Sequence, residues 1–535
     1  MSLKFFGGIL TPFLGDHRWR RRFLALGVIL LTLAAASLPA FQAVIMKMLP
    51  FDNKSELQIV VDMPEHTPVE QTQRVLMEMG HYLENVDEVT SWQSYAGTAA
   101  PINFNGLVRQ YYLRSDPYQG DIQVNLSHES VRPRQSHDIA QALREPLTAI
   151  GKRYDASVKI VEVPPGPPVL SPVVAEIYGA DPDQRAELAR SIAAGMAEVQ
   201  GLVDIDTTLE APTRQWEIEV DRARAARLGV SQAQVVEALQ MALGGMNVSF
   251  LHDDHAKYPV PIRVTLEDAD KAQPSVLMSL QVRSRTGNLV PLASIAQVLE
   301  ADWMGAIYHK NLLPVTYVTA DMAGAVDSPL YGMFAMVSRL EQQEGAPEQF
   351  FIDQPPLPEK GTLKWDGEWQ ITYETFRDMG AAYSVGIFMI FVLLVAQFRS
   401  YILPLVIMAP IPLTLIGIMP GHAMLGREFT ATSMIGMIAL AGIIVRNSIL
   451  LVVFIQQLLE EGVELDRAVV LAGAVRIKPI ALTAISAMVG AYFILNDPIF
   501  NGLAISLIFG LALSTLLTVV VVPLLYYTLA RRKWV

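Results

Sequence analysis

Six apolar stretches, at 23–45, 379–397, 401–420, 433–455, 479–496 and 504–529, constrain this chain more than any other feature. An α-helix needs about 20 apolar residues to cross the hydrocarbon core of a bilayer, and a backbone there must satisfy its own hydrogen bonds, so helices are the expected form. The first stretch stands apart from the other five, separated by a long region of mixed polarity. It follows Arg18, Arg20, Arg21 and Arg22, and the last is followed by Arg531, Arg532 and Lys533. Lysine and arginine mark the cytoplasmic flank of spanning segments. Six spans with both ends cytoplasmic place 46–375 outside, in the periplasm if the envelope is Gram-negative. The first stretch is too long for the apolar core of a signal peptide and lacks a small-residue cleavage site, so it reads as an anchor. The expected division is a cytoplasmic N-terminus at 1–22, a first span at 23–45, an outer region at 46–375, five helices within 376–530 and a cytoplasmic tail at 531–535.

Composition narrows the function. A hydrophobic fraction of 51% and a mean hydropathy of +0.31 fit a membrane protein. Cysteine is absent, which excludes disulfides, thiol nucleophiles and thiolate metal sites. The net charge of −12 argues against a nucleic-acid partner, which needs clustered cations away from the membrane edges. No nucleophile elbow, phosphate-binding loop or zinc motif supports an enzyme, and no cofactor is expected.

The outer region repeats one pattern. A strand at 57–61 leads to Thr67-Pro68-Val69-Glu70, a helix-start signature. Val69, Leu76, Met79 and Leu83 follow at helical spacing, then a strand at 88–92. A second copy runs from a strand at 121–126 through a helix with Ile139, Leu143, Leu147 and Ile150 to a strand at 157–163. A third comprises 173–178, a helix with Leu188, Ile192, Met196 and Val199, and 203–209. A fourth comprises 315–320, a helix with Leu330, Phe334, Val337 and Leu340, and a strand near 362–366. Pairs of such units form ferredoxin-like sandwiches, so the fold class expected is an α+β membrane protein: a six-helix bundle carrying two ferredoxin-like subdomains. Pro164-Pro165-Gly166-Pro167-Pro168 reads as a stiff connector between them. An excursion at 213–312 separates the last two copies. In it, 244–250 and 257–266 read as arms of a hairpin with its tip at 251–255, suited to an oligomer contact or simply to the surface.

Within the six stretches as delimited, Arg446 is the only Asp, Glu, Lys, Arg or His well inside hydrocarbon. A charge there costs at least about 2.5–3.5 kcal/mol on insertion scales and normally faces a partner or a water-filled cavity. Arginine does not release its proton in proteins, so it suits the fixed counter-charge of a titrating carboxylate. No intramembrane Asp or Glu accompanies it, which places the carboxylate on another chain. Snorkelling to the interface is the bland alternative. Thr483 reads either as a relay near Arg446 or as a hydroxyl bonded to its own helix; Arg476 reads as a relay member or a basic anchor at the start of its span.

Leu49-Pro50-Phe51-Asp52-Asn53-Lys54-Ser55, Val61-Asp62-Met63-Pro64, GIIVRNSILLVVF at 442–454 and RIKPIALTAIS at 476–486 together resemble the resistance-nodulation-division superfamily. The likeness extends over essentially the whole chain and is specifically to the C-terminal half of a hydrophobe/amphiphile exporter of the acriflavine-resistance type. The resemblance implies porter subdomains at 51–163 and at 169–210 with 313–366, and a docking subdomain at 211–312. It implies a proton-driven trimer in the Gram-negative inner membrane, surrounded by lipid, working with a periplasmic adaptor and an outer-membrane channel. By motif match it assigns the proton relay to Arg446, in place of a commoner lysine, with Asn447, Thr483 and Arg476. It assigns substrate contacts to Tyr95, Phe104 and Leu107 in the 95–107 loop. Val453 stands where relatives often carry an acid. A complete member is about twice this length, so the chain is expected to pair with a separate N-terminal half or to be a fragment of a split pump gene, and not to transport alone.

A metal-exporting branch is the alternative. It needs Met or His ligands converging in the periplasmic cleft, whereas most of the 22 methionines fall on apolar helix faces or in spans, where Met is filler. His252 and His255 flank Asp253 and Asp254 in a weak ligand set that reads more readily as a solvated turn, so no metal site is assigned. A non-transporting secretion subunit of similar fold is a third possibility, against which the large excursion argues.

Overall fold

The structure, a computed structural model, describes residues 2–533 apart from 164, 165, 167, 304, 325, 358 and 359. Most of the proline-rich connector therefore lies outside the described residues. The chain divides into two compact units, Glu210–Ala306 and the remainder.

In the larger unit, strands Glu56–Asp62, Val89–Ala96, Gln119–Leu126 and Ser157–Val161 form an antiparallel sheet in which the first strand lies between the third and the fourth, and the second pairs outside the third. Helices Val69–Leu83 and Ser136–Lys152 make the crossovers, which is the split βαβ topology. Period-two alternation decides the faces. Leu57, Ile59 and Val61 point at Leu76, Met79, Leu143 and Leu147 on the two helices. Gln58, Asp62, Asp121 and Lys159 fall on the opposite, open face.

The second sheet repeats this order with Val173–Tyr178, Leu202–Thr207, Leu313–Met322 and Thr362–Gly367, and the smaller unit is inserted between its second and third strands. Strand Glu348–Phe350 adds in parallel at one edge, and His309–Lys310 folds back on Leu313–Met322. Helices Pro182–Ala197 and Pro329–Glu341 cover one face over Ala175, Ile177, Ile192, Met196, Val318 and Trp365. On the second of these helices the buried positions are Leu330, Met333, Met336, Val337 and Leu340. Phe334, expected among them, is 44% exposed and packs edge-on against Trp369.

Five helical segments are long and apolar enough to span a membrane: Glu368–Phe398, Ile402–Leu425, Ala431–Glu460, Leu465–Tyr492 and Asn501–Arg531. The stretch at 23–45 departs from expectation. Its helix is Arg18–Ser37, and 38–45 is irregular; Leu38 keeps helical angles, and Pro39 after it supplies no amide to continue the ladder. Four arginines thus occupy the helix start, and among the described residues five segments, not the expected six, are long and apolar enough to span a membrane. The Thr483 helix begins at Leu465, well before the expected 479, with Pro479 inside it. Arg476 is therefore mid-helix.

In the smaller unit, Arg214–Val220 pairs with Ala296–Asp302 beside a small core of Val230, Val235, Val282, Leu292 and Ile295. Its hairpin, Met246–Leu251 with Val260–Val264, is exposed along its whole length, including Val248, Phe250, Ile262 and Val264.

Candidate functional site

The two sheets meet at their edges. Strands Ser157–Val161 and Leu202–Thr207 lie side by side without a main-chain ladder among the described residues. Charged side chains join them. Lys159, alone among apolar neighbours in its strand, ion-pairs with Asp206 across the join and with Asp62 on its own sheet at 3.1 Å. Arg144 reaches Asp204, whose carboxylate also accepts from the Ile160 amide. Arg114 bridges Asp62 at 2.7 Å and Asp121 at 3.2 Å, and Arg109 lies 3.7 Å from Asp321. Burial works against the Asp62 carboxylate, yet Lys159 and Arg114 outweigh it and hold its pKa below the ordinary value. For Asp121 and Asp204 burial wins and pushes the carboxyls up. Lys159, desolvated but flanked by two acids, is held protonated with a raised pKa.

A second clasp closes the same join nearer the membrane helices in sequence. His137 Nδ1 donates to Glu162 at 2.7 Å and Nε2 to Asp327 at 3.2 Å, while the ring stacks on Phe51 with centroids 4.4 Å apart. Lys47 pairs with Asp327 at 2.8 Å and sits over the same Phe51 ring. Burial alone would depress His137; the two carboxylates overcome it and push its pKa up to about 10. It is a fixed cation, not a switch near neutral pH.

The open face of the first sheet carries the short helix Phe104–Val108. Asn103 holds it there: its carbonyl oxygen accepts the Gly106 amide at 2.6 Å and its amide donates to Gln123 at 2.9 Å. Phe104 and Leu107, one turn apart, are exposed together with Ile102 and Leu113, an apolar patch on an otherwise polar face. Tyr95 is half-buried on the neighbouring strand, opposite Asp121 in register.

In the spans, Arg446 lies on an exposed stripe of Ala431–Glu460 with Ile435, Ala439, Gly442 and Leu450. Among the described residues its guanidinium has no hydrogen-bond or ion-pair partner, whereas Asn447 and Ser448 beside it are buried. Thr483 is also exposed, and its hydroxyl donates to the Ile480 carbonyl of its own helix at 2.9 Å. Arg476 rests over the Phe454 ring at 4.6 Å. The structure thus brings Arg446 and Thr483 onto exposed apolar surfaces but into no mutual bond. Arg446 is not the sole titratable group within the spans. His422 is fully buried, with Nδ1 facing the Ile418 carbonyl and Nε2 facing Ser433 Oγ, each at 2.9 Å. It escapes sequence reading because its helix continues to Leu425, beyond the expected boundary at 420. The charged join also goes unread there, although a single charge inside an apolar strand, Lys159 in SVKIV, is its signal. Among the described residues no three His, Cys, Asp or Glu side chains gather as a metal site.

Residues 16–530 match the profile of the AcrB/AcrD/AcrF family. The chain belongs to this family, whose members are secondary active transporters. It is similar to the nickel and cobalt resistance protein CnrA of Cupriavidus metallidurans, 23% identical over 97% of this chain and 47% of that protein. It is similar to the swarming motility protein SwrC of Bacillus subtilis, 25% identical over 66% of this chain and 33% of SwrC. The multidrug resistance protein MdtC of Erwinia amylovora is 25% identical over 62% of this chain and 31% of MdtC. The fold matches a crystal structure of a heavy metal efflux pump with a TM-score of 0.79 and 20% identity, covering 99% of this chain and 52% of that one. The chain spans about half or less of the length of these relatives.

Proposed function

We propose that this chain corresponds to the C-terminal half of a proton-driven efflux pump of the resistance-nodulation-division type, whose complementary half supplies the titrating carboxylate. The observation that carries the reading is Arg446, a permanent charge without a partner on an exposed stripe of an apolar helix. Ala439 and Gly442 on the same stripe allow close approach of another helix; a Cβ added at Gly442 would meet nothing within 4 Å. The 46–375 region is read as periplasmic, with the two sandwiches as porter subdomains and Glu210–Ala306 as the docking part toward an adaptor and outer-membrane channel.

We further propose a divalent metal cation as cargo, because relatives named for nickel, cobalt, zinc and cadmium resistance match over most of this chain. The second reading, an amphiphilic organic cargo, rests on the exposed Phe104 and Leu107 patch. Cells expressing this chain with its other half are loaded with cobalt or zinc and, separately, with a hydrophobic dye. Lower metal accumulation with dye unchanged is expected, and Phe104→Ala/Leu107→Ala should leave metal export intact. Dye export lost in that double variant, with no metal effect, would reverse the assignment.

The exposed hairpin Met246–Leu251 and Val260–Val264 is read as the contact with a neighbouring copy, since an isolated two-stranded hairpin with apolar outer positions is marginal in water. Because the chain has no native cysteine, Asn247→Cys and Ser249→Cys report directly. Crosslinked species of two and three copies are expected in the assembled pump; monomers at every arm position would remove this surface from the assembly.

A further inference from the structure

A groove of about 640 Å³ runs between helix Arg18–Ser37 and the C-terminal helix. Arg18, Arg21, Arg22, Ala25 and Val28 line one wall, at spacings that put them on one helix face. Leu413, Val521, Leu524 and Arg531 line the other. The two helices run in opposite directions past each other, so every arginine falls at one end and the opposite end is wholly apolar. At a rise of about 1.5 Å per residue, the two ends lie roughly 15 Å apart. The groove thus has the polarity of a phospholipid.

The charged end lacks compensation. Arg531 is paired with Asp16 at 2.6 Å, and Arg21 donates to the carbonyls of Phe13 at 2.8 Å and Gly15 at 3.0 Å. Among the described residues, the guanidinium groups of Arg18 and Arg22 have no hydrogen-bond or ion-pair partner. Arg18 sits in the first turn of a helix with no acidic residue there, where the helix dipole is positive, and Arg22 follows one turn on, where like charges at i, i+4 repel. Such a start is unfavourable alone and becomes favourable once an anion binds, since helix N-termini and arginine forks both hold phosphate oxygens.

We propose that this groove binds one anionic phospholipid, its phosphate between Arg18, Arg22 and the helix start and its acyl chain along Val28, Leu413 and Val521. Basic pockets between spanning helices take such head groups. The site is independent of the cargo and of the Arg446 coupling.

The full chain, purified in detergent, is incubated with equal amounts of phosphatidylglycerol and phosphatidylcholine and examined by native mass spectrometry. One retained phosphatidylglycerol per chain is expected, with phosphatidylcholine absent. Arg18→Gln/Arg22→Gln should weaken retention roughly thirtyfold, from the loss of two charges near the head group. Ala409→Trp, which fills the apolar end, should block it. Arg20→Gln is the control, because Arg20 does not line the groove and donates to Pro12. Equal retention of both lipids by the wild-type chain overturns the proposal, and this comparison decides even if a variant fails to fold. Phosphatidylglycerol retention unaffected by the double variant, or displaced on adding the second half of the pump, overturns it equally.

Discussion

Arg446→Ala is expected to abolish export in cells that carry both halves at matched expression, while leaving the amount of protein in the membrane unchanged. Removing a charge from an apolar helix lowers an insertion cost of several kcal/mol, so folding has nothing to lose. Coupling has everything to lose. An acid that reaches Arg446 from the other polypeptide would be ionised when paired and protonated when released, a two-state element that proton entry can bias. Without the guanidinium the acid has no reason to prefer ionisation, and both states collapse into one. Arg446→Lys keeps the charge but not the planar fork and should retain part of the activity. The assay is accumulation of cargo over time; wild-type export by Arg446→Ala would show that the residue is structural and would end the coupling scheme.

Glu176→Leu is expected to cost about 3–5 kcal/mol of stability, among the largest single effects in the chain. Glu176 is 1% exposed on the second sheet and accepts from Lys310, from Lys364 at 3.4 Å and from the Tyr178 hydroxyl at 2.9 Å. Lys364 is almost as deeply buried, and its other carboxylate, Asp366, is 3.7 Å away. Deleting Glu176 leaves that ammonium, which also donates to Gln370 at 3.0 Å, short of counter-charge in the interior, whereas deleting both removes the charge as well. The double variant Glu176→Leu/Lys364→Leu should therefore recover much of the loss. Thermal melting of the purified full chain, followed by tryptophan fluorescence, reads both. A single variant that melts with the wild type would mean the network is hydrated and contributes little.

How far the sequence discloses this molecule depends on which physical signal each element leaves. Strand Glu56–Asp62 is legible from an apolar run and helix Val69–Leu83 from its 3.6-residue period, since both patterns record burial directly. The short pairs Gln281–Arg283 with Leu289–Pro291 leave no such pattern, being too brief for periodicity to accumulate. Helix ends in the spans are misjudged because hydropathy marks where apolar residues stop, not where hydrogen bonding stops; the Thr483 helix gains its first 14 residues in this way. Arg446 stands out by chemistry alone. Tyr95, Phe104 and Leu107 come only from resemblance, and the structure separates the exposed pair on one turn from the half-buried tyrosine. The charged join is invisible to any local reading, because Lys159 and Asp206 meet only after two separate sheets are complete.

That join has a further consequence for the two sheet edges it brings together. A bare sheet edge is ordinarily a template on which another strand can nucleate, and aggregation follows. Here each edge already carries its own deterrent: Lys159 on one, Asp204 and Asp206 on the other. Each unpaired strand turns an inward charge toward any newcomer. The residues that hold the sandwiches together thus also keep each edge from sticking to strangers whenever its partner edge is not yet in place, as during folding.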